Sequence, residues 1–190
     1  ESMKAESEAT RMYYRLLCIK ANDKAYIRHT SDSLILPVLH YYTEKKDEHH
    51  LPEAYYYAGR VYRDLEDAPL ALDYFQKAID ALPDNKGYRL KSKIYSQMGT
   101  LFLYQKTYDE ALKILKEARK CNIALKDSAS MVFNLRDIAN GYRCLDQNDS
   151  SLYYLRKAYY IAKVLRNYDL MAMVQSQMAS LYIELEKYDL

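Results

Sequence analysis

The sequence has few of the residues that would place it in several other protein classes. Its 190 residues include no Trp, four Gly, four Pro and three Cys. So few turn-forming residues argue against an all-β fold with many tight turns and favour helices. Cys18, Cys121 and Cys144 lie far apart and show no CxxC or Cys/His spacing. The sequence therefore predicts neither a disulfide framework nor a zinc site.

Long apolar runs and an excess of one charge are also missing. No segment approaches the length of a membrane span, and no signal peptide is visible. The first residue is Glu1, so we expect the natural N-terminus to lie further upstream. The net charge is +2 with both signs interspersed. This balance gives no electrostatic reason to expect binding to nucleic acid or to an anionic membrane.

Motifs for catalysis and cofactor binding are absent from the sequence as well. It contains no Gly-rich phosphate loop, no GxSxG, no HExxH and no paired carboxylates at a catalytic spacing. His49 and His50, beside Asp47 and Glu48, are the one candidate metal cluster, but neighbouring side chains on a loop converge poorly on one ion. We therefore expect no enzymatic activity, no cofactor and no metal.

A 40-residue period is the main positive feature of the sequence. Small residues recur at this interval at Gly59, Gly99, Ala139 and Ala179. Aromatic residues recur at Tyr62, Phe102, Tyr142 and Tyr182. A second set of small residues is Ala78, Ala118 and Ala158. Small residues let two helices approach closely, and most of the 22 Tyr are expected to fill the space between helices. The period predicts an all-α, right-handed α-solenoid of antiparallel helix pairs.

The period also divides the chain. Residues 1–50 are predicted to form a divergent helical pair, and residues 51–190 an array of repeats starting near 52, 92, 132 and 172. The second helices of repeats two and three are predicted to be extended, whereas residues 83–87 form a loop in repeat one. The last repeat is truncated. Its residues Met178, Tyr182 and Leu185 are therefore expected to be partly exposed or covered by a neighbouring molecule, which makes self-association possible.

Two turns carry predicted helix caps. Thr107 and Glu110 have the spacing of a capping box, in which each end satisfies the free backbone donors of the other. Asn148 or Asp149 is predicted to cap the helix that follows the turn in repeat three.

Residues 52–85, PEAYYYAGRVYRDLEDAPLALDYFQKAIDALPDN, carry the positions of a known repeat. They resemble a tetratricopeptide repeat (TPR), and the resemblance extends over residues 52–190. It implies a non-enzymatic scaffold for protein–protein interaction. The stretches TSDSL and AYYYAGRVYRDLEDAPLALDYFQKAI are, more narrowly, similar to bacterial envelope-associated TPR proteins. In those proteins a membrane span and a coiled-coil or DNA-binding segment often follow, and neither is present in these residues. This similarity implies a periplasmic or cell-envelope location. Without it, we would expect a cytoplasmic one.

A second stripe on the first helix of each repeat is the candidate binding site. At 100° per residue it lies apart from the buried stripe, and stacking of the first helices makes it the concave wall of the solenoid. The predicted peptide-binding groove consists of Tyr56, Arg60, Arg63, Lys93, Ser96, Thr100, Leu103, Phe133, Arg136, Asn140 and Arg143. Its arginines suit carboxylates, so we expect an acidic and aromatic peptide ligand. The groove lacks the Lys and Asn pattern of TPR domains that bind chaperone C-termini, which disfavours such a ligand.

Two function classes remain open at this point. One is a scaffold that binds a polypeptide in its groove, as the sensory part of a larger membrane-associated regulator. The alternative is a structural or oligomerisation module that contacts partners through the ends of the solenoid. A basic cluster, Lys113, Lys116, Arg119 and Lys120, is interpreted as a solvated helix face.

Overall fold

The structure is a computed structural model that describes residues 7–83 and 87–188, with side chains up to residue 186. Every regular element in these ranges is an α-helix. The helices are α1 (Glu8–Lys24), α2 (Ile35–Glu44), α3 (Leu51–Asp64), α4 (Ala68–Asp80), α5 (Tyr88–Tyr104), α6 (Tyr108–Leu125), α7 (Ser128–Cys144), α8 (Asn148–Val164) and α9 (Tyr168–Tyr188). Within the described ranges, none is both long enough and apolar enough to span a bilayer.

The helices belong to two compact units, residues 1–87 and residues 88–190. In unit 1, α3 packs against α2, α4 and α1. In unit 2, each helix from α5 to α9 packs against the next, and α7 also contacts α5 and α9. Short turns make consecutive helices antiparallel. The predicted all-α helical solenoid is therefore confirmed. The predicted boundary between a divergent helical pair, residues 1–50, and the repeat array, residues 51–190, stays a prediction.

The 40-residue period consists of two halves of 20 residues. Non-glycine residues with positive φ end the helices at this interval: Tyr26, Lys46, Glu66, Lys106, Lys126, Asp146 and Arg166. At Glu66, the backbone N–H donates to the carbonyl of Arg63 at 3.1 Å, and the next N–H donates to the carbonyl of Tyr62 at 3.0 Å. This pair of bonds is a Schellman motif, which satisfies carbonyls left free at the helix end. A motif of fixed length at each end keeps the repeat in register.

The residue after each left-handed position usually caps the next helix. The carboxylate of Asp67 accepts a hydrogen bond from the N–H of Leu70 at 3.0 Å, and Asp127 likewise accepts from Ser130. Thr107 is the N-cap of α6 but makes no side-chain cap bond.

Two predicted caps are therefore wrong. The hydroxyl of Thr107 donates to the carbonyl of Phe102 at 3.3 Å, so it does not form the predicted capping box with Glu110. Gln147, rather than Asn148 or Asp149, is the N-cap of α8. The left-handed residue Asp146 fixes where that helix begins.

The left-handed positions give a first prediction. Lys126 has φ 54° and is exposed. A side chain in this conformation is strained, whereas glycine adopts it freely. We expect Lys126→Gly to raise the free energy of unfolding by about 0.5–1 kcal/mol, net of the greater entropy of the unfolded chain. Lys126→Val should lower it by about the same amount, because a β-branched residue tolerates this conformation poorly. Urea unfolding followed by circular dichroism measures both, and a stabilising Val would contradict the assignment.

Close approach of helices depends on the small residues of the period. A Cβ atom built on Gly59 would lie 2.5 Å from the ring of Phe75, which is fully buried. Aromatic pairs fill the neighbouring space at equivalent positions of repeats one and three. The rings of Tyr62 and Tyr74 stack with centroids 5.3 Å apart, and those of Tyr142 and Tyr154 stack at 5.4 Å.

The later second helices are longer, as the sequence predicts. α4 has 13 residues, whereas α6 has 18 and α8 has 17. In the predicted loop at 83–87, residues 84–86 lie outside the described residues.

The predicted partial exposure on α9 is also confirmed. Met178 and Leu185 are half-buried, and Tyr182 is 41% exposed, although Leu181 between them is buried.

Candidate functional site

The predicted groove residues of unit 2 lie on α5 and α7, the first helices of their repeats. We call these eight residues the α5/α7 face: Lys93, Ser96, Thr100, Leu103, Phe133, Arg136, Asn140 and Arg143. Lys93 and Phe133 are exposed, and the other six are half-buried. None of the eight is buried, so each can contact a partner.

Both arginines of α7 are held in place by neighbouring side chains. Arg136 donates to Asp137 at 2.7 and 2.9 Å and to the sulfur of Met173 on α9 at 3.1 Å. Its guanidinium carbon lies 5.3 Å from the ring centroid of Phe133. Arg143 donates to Asn140 at 3.0 Å and to Glu184 of α9 at 3.2 Å. These contacts order the guanidinium groups before any ligand arrives.

The carboxylate beside Arg136 is in an unfavourable environment for its charge. Burial raises the pKa of Asp137 above its ordinary value, although the neighbouring Arg136 partly offsets this effect. A ligand carboxylate that reaches Arg136 would therefore share the guanidinium with Asp137. The face thus offers oriented hydrogen-bond donors rather than uncompensated charge.

In unit 1, α1 packs beside the predicted groove residues of α3. Tyr56 is only 4% exposed, so it offers almost no surface to a partner. Arg60 forms an ion pair with Asp23 of α1 at 2.5 Å, and Arg63 forms one with Asp64 at 2.7 Å. A cavity of about 220 Å³ lies among these charged groups. Arg60 and Arg63 thus bind carboxylates of their own unit.

Asp64 lies at the centre of the polar contacts in unit 1. Its Oδ1 accepts from Arg63, and its Oδ2 accepts from the backbone N–H of His29 at 3.1 Å. The Nδ1 of His29 lies 2.8 Å from the same oxygen. Burial alone would raise the pKa of Asp64, but hydrogen bonds from Arg63 and His29 outweigh it and hold the pKa below its ordinary value.

This arrangement gives a pH-dependent prediction. A carboxyl whose pKa is lowered by folding contributes stability above its unfolded pKa of about 4, and that stability is lost as the pH falls through the lower folded value. We expect Asp64→Asn to lower the free energy of unfolding by about 1 kcal/mol at pH 7, after allowing for solvent screening. The difference from wild type should shrink below about pH 4. Denaturant unfolding at both pH values measures it, and a difference independent of pH would contradict this role.

A buried polar network in unit 2 escaped the sequence interpretation. The hydroxyl of Ser92 donates to Asn122 at 2.5 Å. The amide of Asn122 donates to Asn134, and that of Asn134 donates to Ser96 at 3.0 Å. The four residues connect α5, α6 and α7. One sequence feature could have predicted this network. Asn122 lies four positions after the core residue Ala118, so it lies on the same buried face of the helix.

The basic cluster on α6 is only partly a solvated face. Lys113 and Lys120 are exposed, but the Nζ of Lys116 lies 5.4 Å from the ring centroid of Tyr142. Arg119 is half-buried, and its Nε is buried without a hydrogen-bond partner. For Arg119 the solvated-face interpretation is wrong, because neighbouring side chains cover part of its guanidinium.

His50 has partners that differ from those of a metal ligand. Its Nδ1 lies 2.8 Å from the carboxylate of Asp47, and its ring stacks on Tyr42 with centroids 5.1 Å apart. In the described ranges, no group of three or more His, Cys, Asp and Glu side chains is placed to hold a metal ion.

Comparison with known proteins agrees with the repeat architecture. Residues 52–85 match the family described as Tetratricopeptide repeat. No curated protein sequence matches the chain significantly. Similar solved structures include nearly identical TPR-like repeats from a putative kinesin light chain of Podosopora anserina, with a TM-score of 0.70 and 12% identity. That match covers 96% of this chain and 94% of the other.

Two further structures are similar over shorter ranges. The N-terminal domain of stress-induced protein-1 (STI-1) from C. elegans has a TM-score of 0.56 and 14% identity, and covers 68% of this chain and 96% of its own. The MamA protein has a TM-score of 0.52 and 17% identity, and covers 80% of this chain and 84% of its own. At these identities the likeness shows the fold.

Proposed function

We propose that the α5/α7 face binds a polypeptide, because residues 52–85 match the tetratricopeptide repeat family and the chain has the fold of TPR-repeat proteins. TPR folds generally act as protein–protein interaction scaffolds and are typically not enzymes. The single observation that supports this face is the pre-arranged pair of arginines, Arg136 and Arg143, beside the exposed ring of Phe133. Arginine and aromatic side chains are the usual sources of binding energy at such interfaces.

The ligand that fits this face is an acidic peptide with aromatic side chains. One ligand carboxylate would bind Arg143 in place of Glu184, whose 3.2 Å contact is solvent-accessible and weak. An aromatic side chain would pack against Phe133. Exposed ion pairs contribute little and ordering a peptide costs free energy, so we expect a dissociation constant of about 1–100 μM that rises with salt.

A comparison of matched variants tests this proposal. Arg136→Ala/Arg143→Ala should lose the ligands that wild type retains from an acidic peptide array, by about tenfold or more in affinity. Lys113→Ala/Lys120→Ala removes the same charge from exposed positions on α6 and should retain them. Equal retention by all three proteins would show that the α5/α7 face is not the site.

A second candidate function is contact through the end of unit 2. On α9, Tyr182 and Ile183 are 41% and 54% exposed beside the half-buried Met178. Such a patch suits a copy of this chain or another protein segment. If this end mediates self-association, analytical ultracentrifugation should detect a dimer whose fraction rises with concentration. Ile183→Glu should abolish that dimer. A monomer at all concentrations would exclude self-association.

We propose, finally, that the scaffold acts as the sensory part of a larger membrane-associated regulator. The support is the similarity of Thr30–Leu34 and of residues 54–79 to envelope-associated TPR proteins. The full-length chain tests this directly, because the proposal requires a downstream membrane span followed by an effector segment.

A further inference from the structure

Unit 2 carries a second groove, on another side of α7 from the α5/α7 face. It has a volume of about 450 Å³ and lies between α6 and α8. Met131 and Leu135 of α7 line it. At 100° per residue these two side chains lie at least about 80° around α7 from Arg136, Asn140 and Arg143. We call this the α6/α8 groove.

The arginines of the predicted groove form ion pairs with carboxylates of this chain, whereas no ion pair among the described residues involves the cations of the α6/α8 groove. Arg119 of α6 and Arg156 and Lys157 of α8 line it, and no carboxylate does. Within the described residues none of the three forms an ion pair, although Lys157 lies 4.3 Å from the ring centroid of Tyr153. The Nε of Arg119 is buried without any acceptor. An incoming carboxylate would therefore meet cations that no carboxylate in the described part of this chain neutralises.

The apolar lining of the groove follows one side of α8. Tyr153, Tyr160 and Ile161 line the groove. Tyr153 and Tyr160 are seven residues apart, about two helical turns, so they lie on the same side of α8. Val164 is one further turn along and is 65% exposed. The stripe from Tyr153 to Val164 is about 16 Å long, which is three helical turns. Tyr153 and Tyr160 are 51% and 68% exposed, an unusual amount for two large rings on one side of a helix.

We propose that the α6/α8 groove binds an acidic amphipathic helix of a partner protein. α6 and α8 both pack against α7 and run in the same direction, so a helix laid between them would form a fourth element of the bundle. Its apolar side chains, spaced at i, i+3 or i+4 and i+7, would lie over Tyr160, Ile123 and Leu135. Its acidic residues would meet Arg119 of α6 on one side of the groove and Arg156 and Lys157 of α8 on the other.

A selection experiment tests the proposal even though the partner protein is unidentified. A phage-displayed library of helical peptides, randomised on one side, is selected on the whole chain. The enriched clones should carry an apolar stripe flanked by Asp and Glu, and a synthetic peptide of the dominant clone should bind in fluorescence anisotropy. Arg156→Glu/Lys157→Glu should weaken that binding by about 100-fold, and Tyr160→Ser by about tenfold. These side chains are exposed, so the variants should melt at wild-type temperature.

Two controls separate this site from others. Lys113→Glu/Lys120→Glu reverses the same charge on α6 outside the groove and should change the affinity by less than about threefold. Arg136→Ala/Arg143→Ala should leave this peptide bound, since it alters only the α5/α7 face. The proposal is overturned if no clone enriches, if the clones lack acidic residues, or if the α5/α7 variant rather than the α8 variants loses binding.

Discussion

Replacing Gly99 with leucine is expected to lower the free energy of unfolding of unit 2 by about 2–4 kcal/mol. A single Cβ atom at this position would already lie 2.5 Å from Cγ and from Cδ2 of Leu115. Leu115 is fully buried, so its side chain and its neighbours must repack to make room. The larger side chain must force α5 and α6 apart and expose the core between them. Urea unfolding followed by far-ultraviolet circular dichroism measures the loss.

The next repeat supplies a control for this substitution. Ala139 and Leu155 hold the positions equivalent to Gly99 and Leu115, 40 residues later, and both lie in one core cluster. A helix pair of this kind therefore accommodates one methyl group. Gly99→Ala should lower stability by less than Gly99→Leu does, by about 1 kcal/mol, because Leu115 must still shift and the gain in helix propensity offsets only part of that cost. A loss below about 0.5 kcal/mol for Gly99→Leu would mean that the register of the repeat is wrong.

The repeat register could be predicted because it depends on pairs of one small and one large residue, which pack against each other between two helices. Gly59 and Phe75 are 16 residues apart, as are Gly99 and Leu115, and each pair is in contact across two helices. A fixed spacing between a small and a large residue survives in the sequence. This spacing can be recognised even where the turns cannot.

The turns were harder to predict because their chemistry involves the preceding helix. Thr107 has the sequence of a capping box, but its hydroxyl bonds to Phe102 in the helix before it. The helix boundary depends on the left-handed residue Lys106, and lysine gives no sign of that conformation. Glycine at these positions would have revealed the 20-residue interval.

The candidate site was predicted less completely than the fold for a related reason. Helical geometry places Tyr56 and Arg60 on the wall stripe, but it does not show what packs beside them. In the structure α1 lies there, and Asp23 binds Arg60 at 2.5 Å. The α6/α8 groove was missed because it requires two second helices and α7 to be placed together. Its residues come from three separate segments of the sequence.

The buried polar network of α5, α6 and α7 supports a second prediction with a large expected effect on stability. Asn134→Leu should lower the free energy of unfolding by about 2–4 kcal/mol. Leucine has the branching and heavy-atom count of asparagine, so the substitution removes hydrogen bonds with little change of shape. It leaves the amide of Asn122 without its acceptor, in a place where only 1% of that residue is exposed. Each buried group left unsatisfied costs about 1–3 kcal/mol.

A double variant distinguishes this cause from simple crowding. In Asn122→Leu/Asn134→Leu both amides are gone, and the hydroxyls of Ser92 and Ser96 can turn to carbonyls of their own helix. The double variant should therefore be more stable than the sum of the two single losses predicts, by about 1–3 kcal/mol. Gln175→Leu removes an exposed amide of α9 and should change stability by less than about 0.5 kcal/mol. Additive losses in the double variant would show that crowding, rather than an orphaned amide, destabilises unit 2.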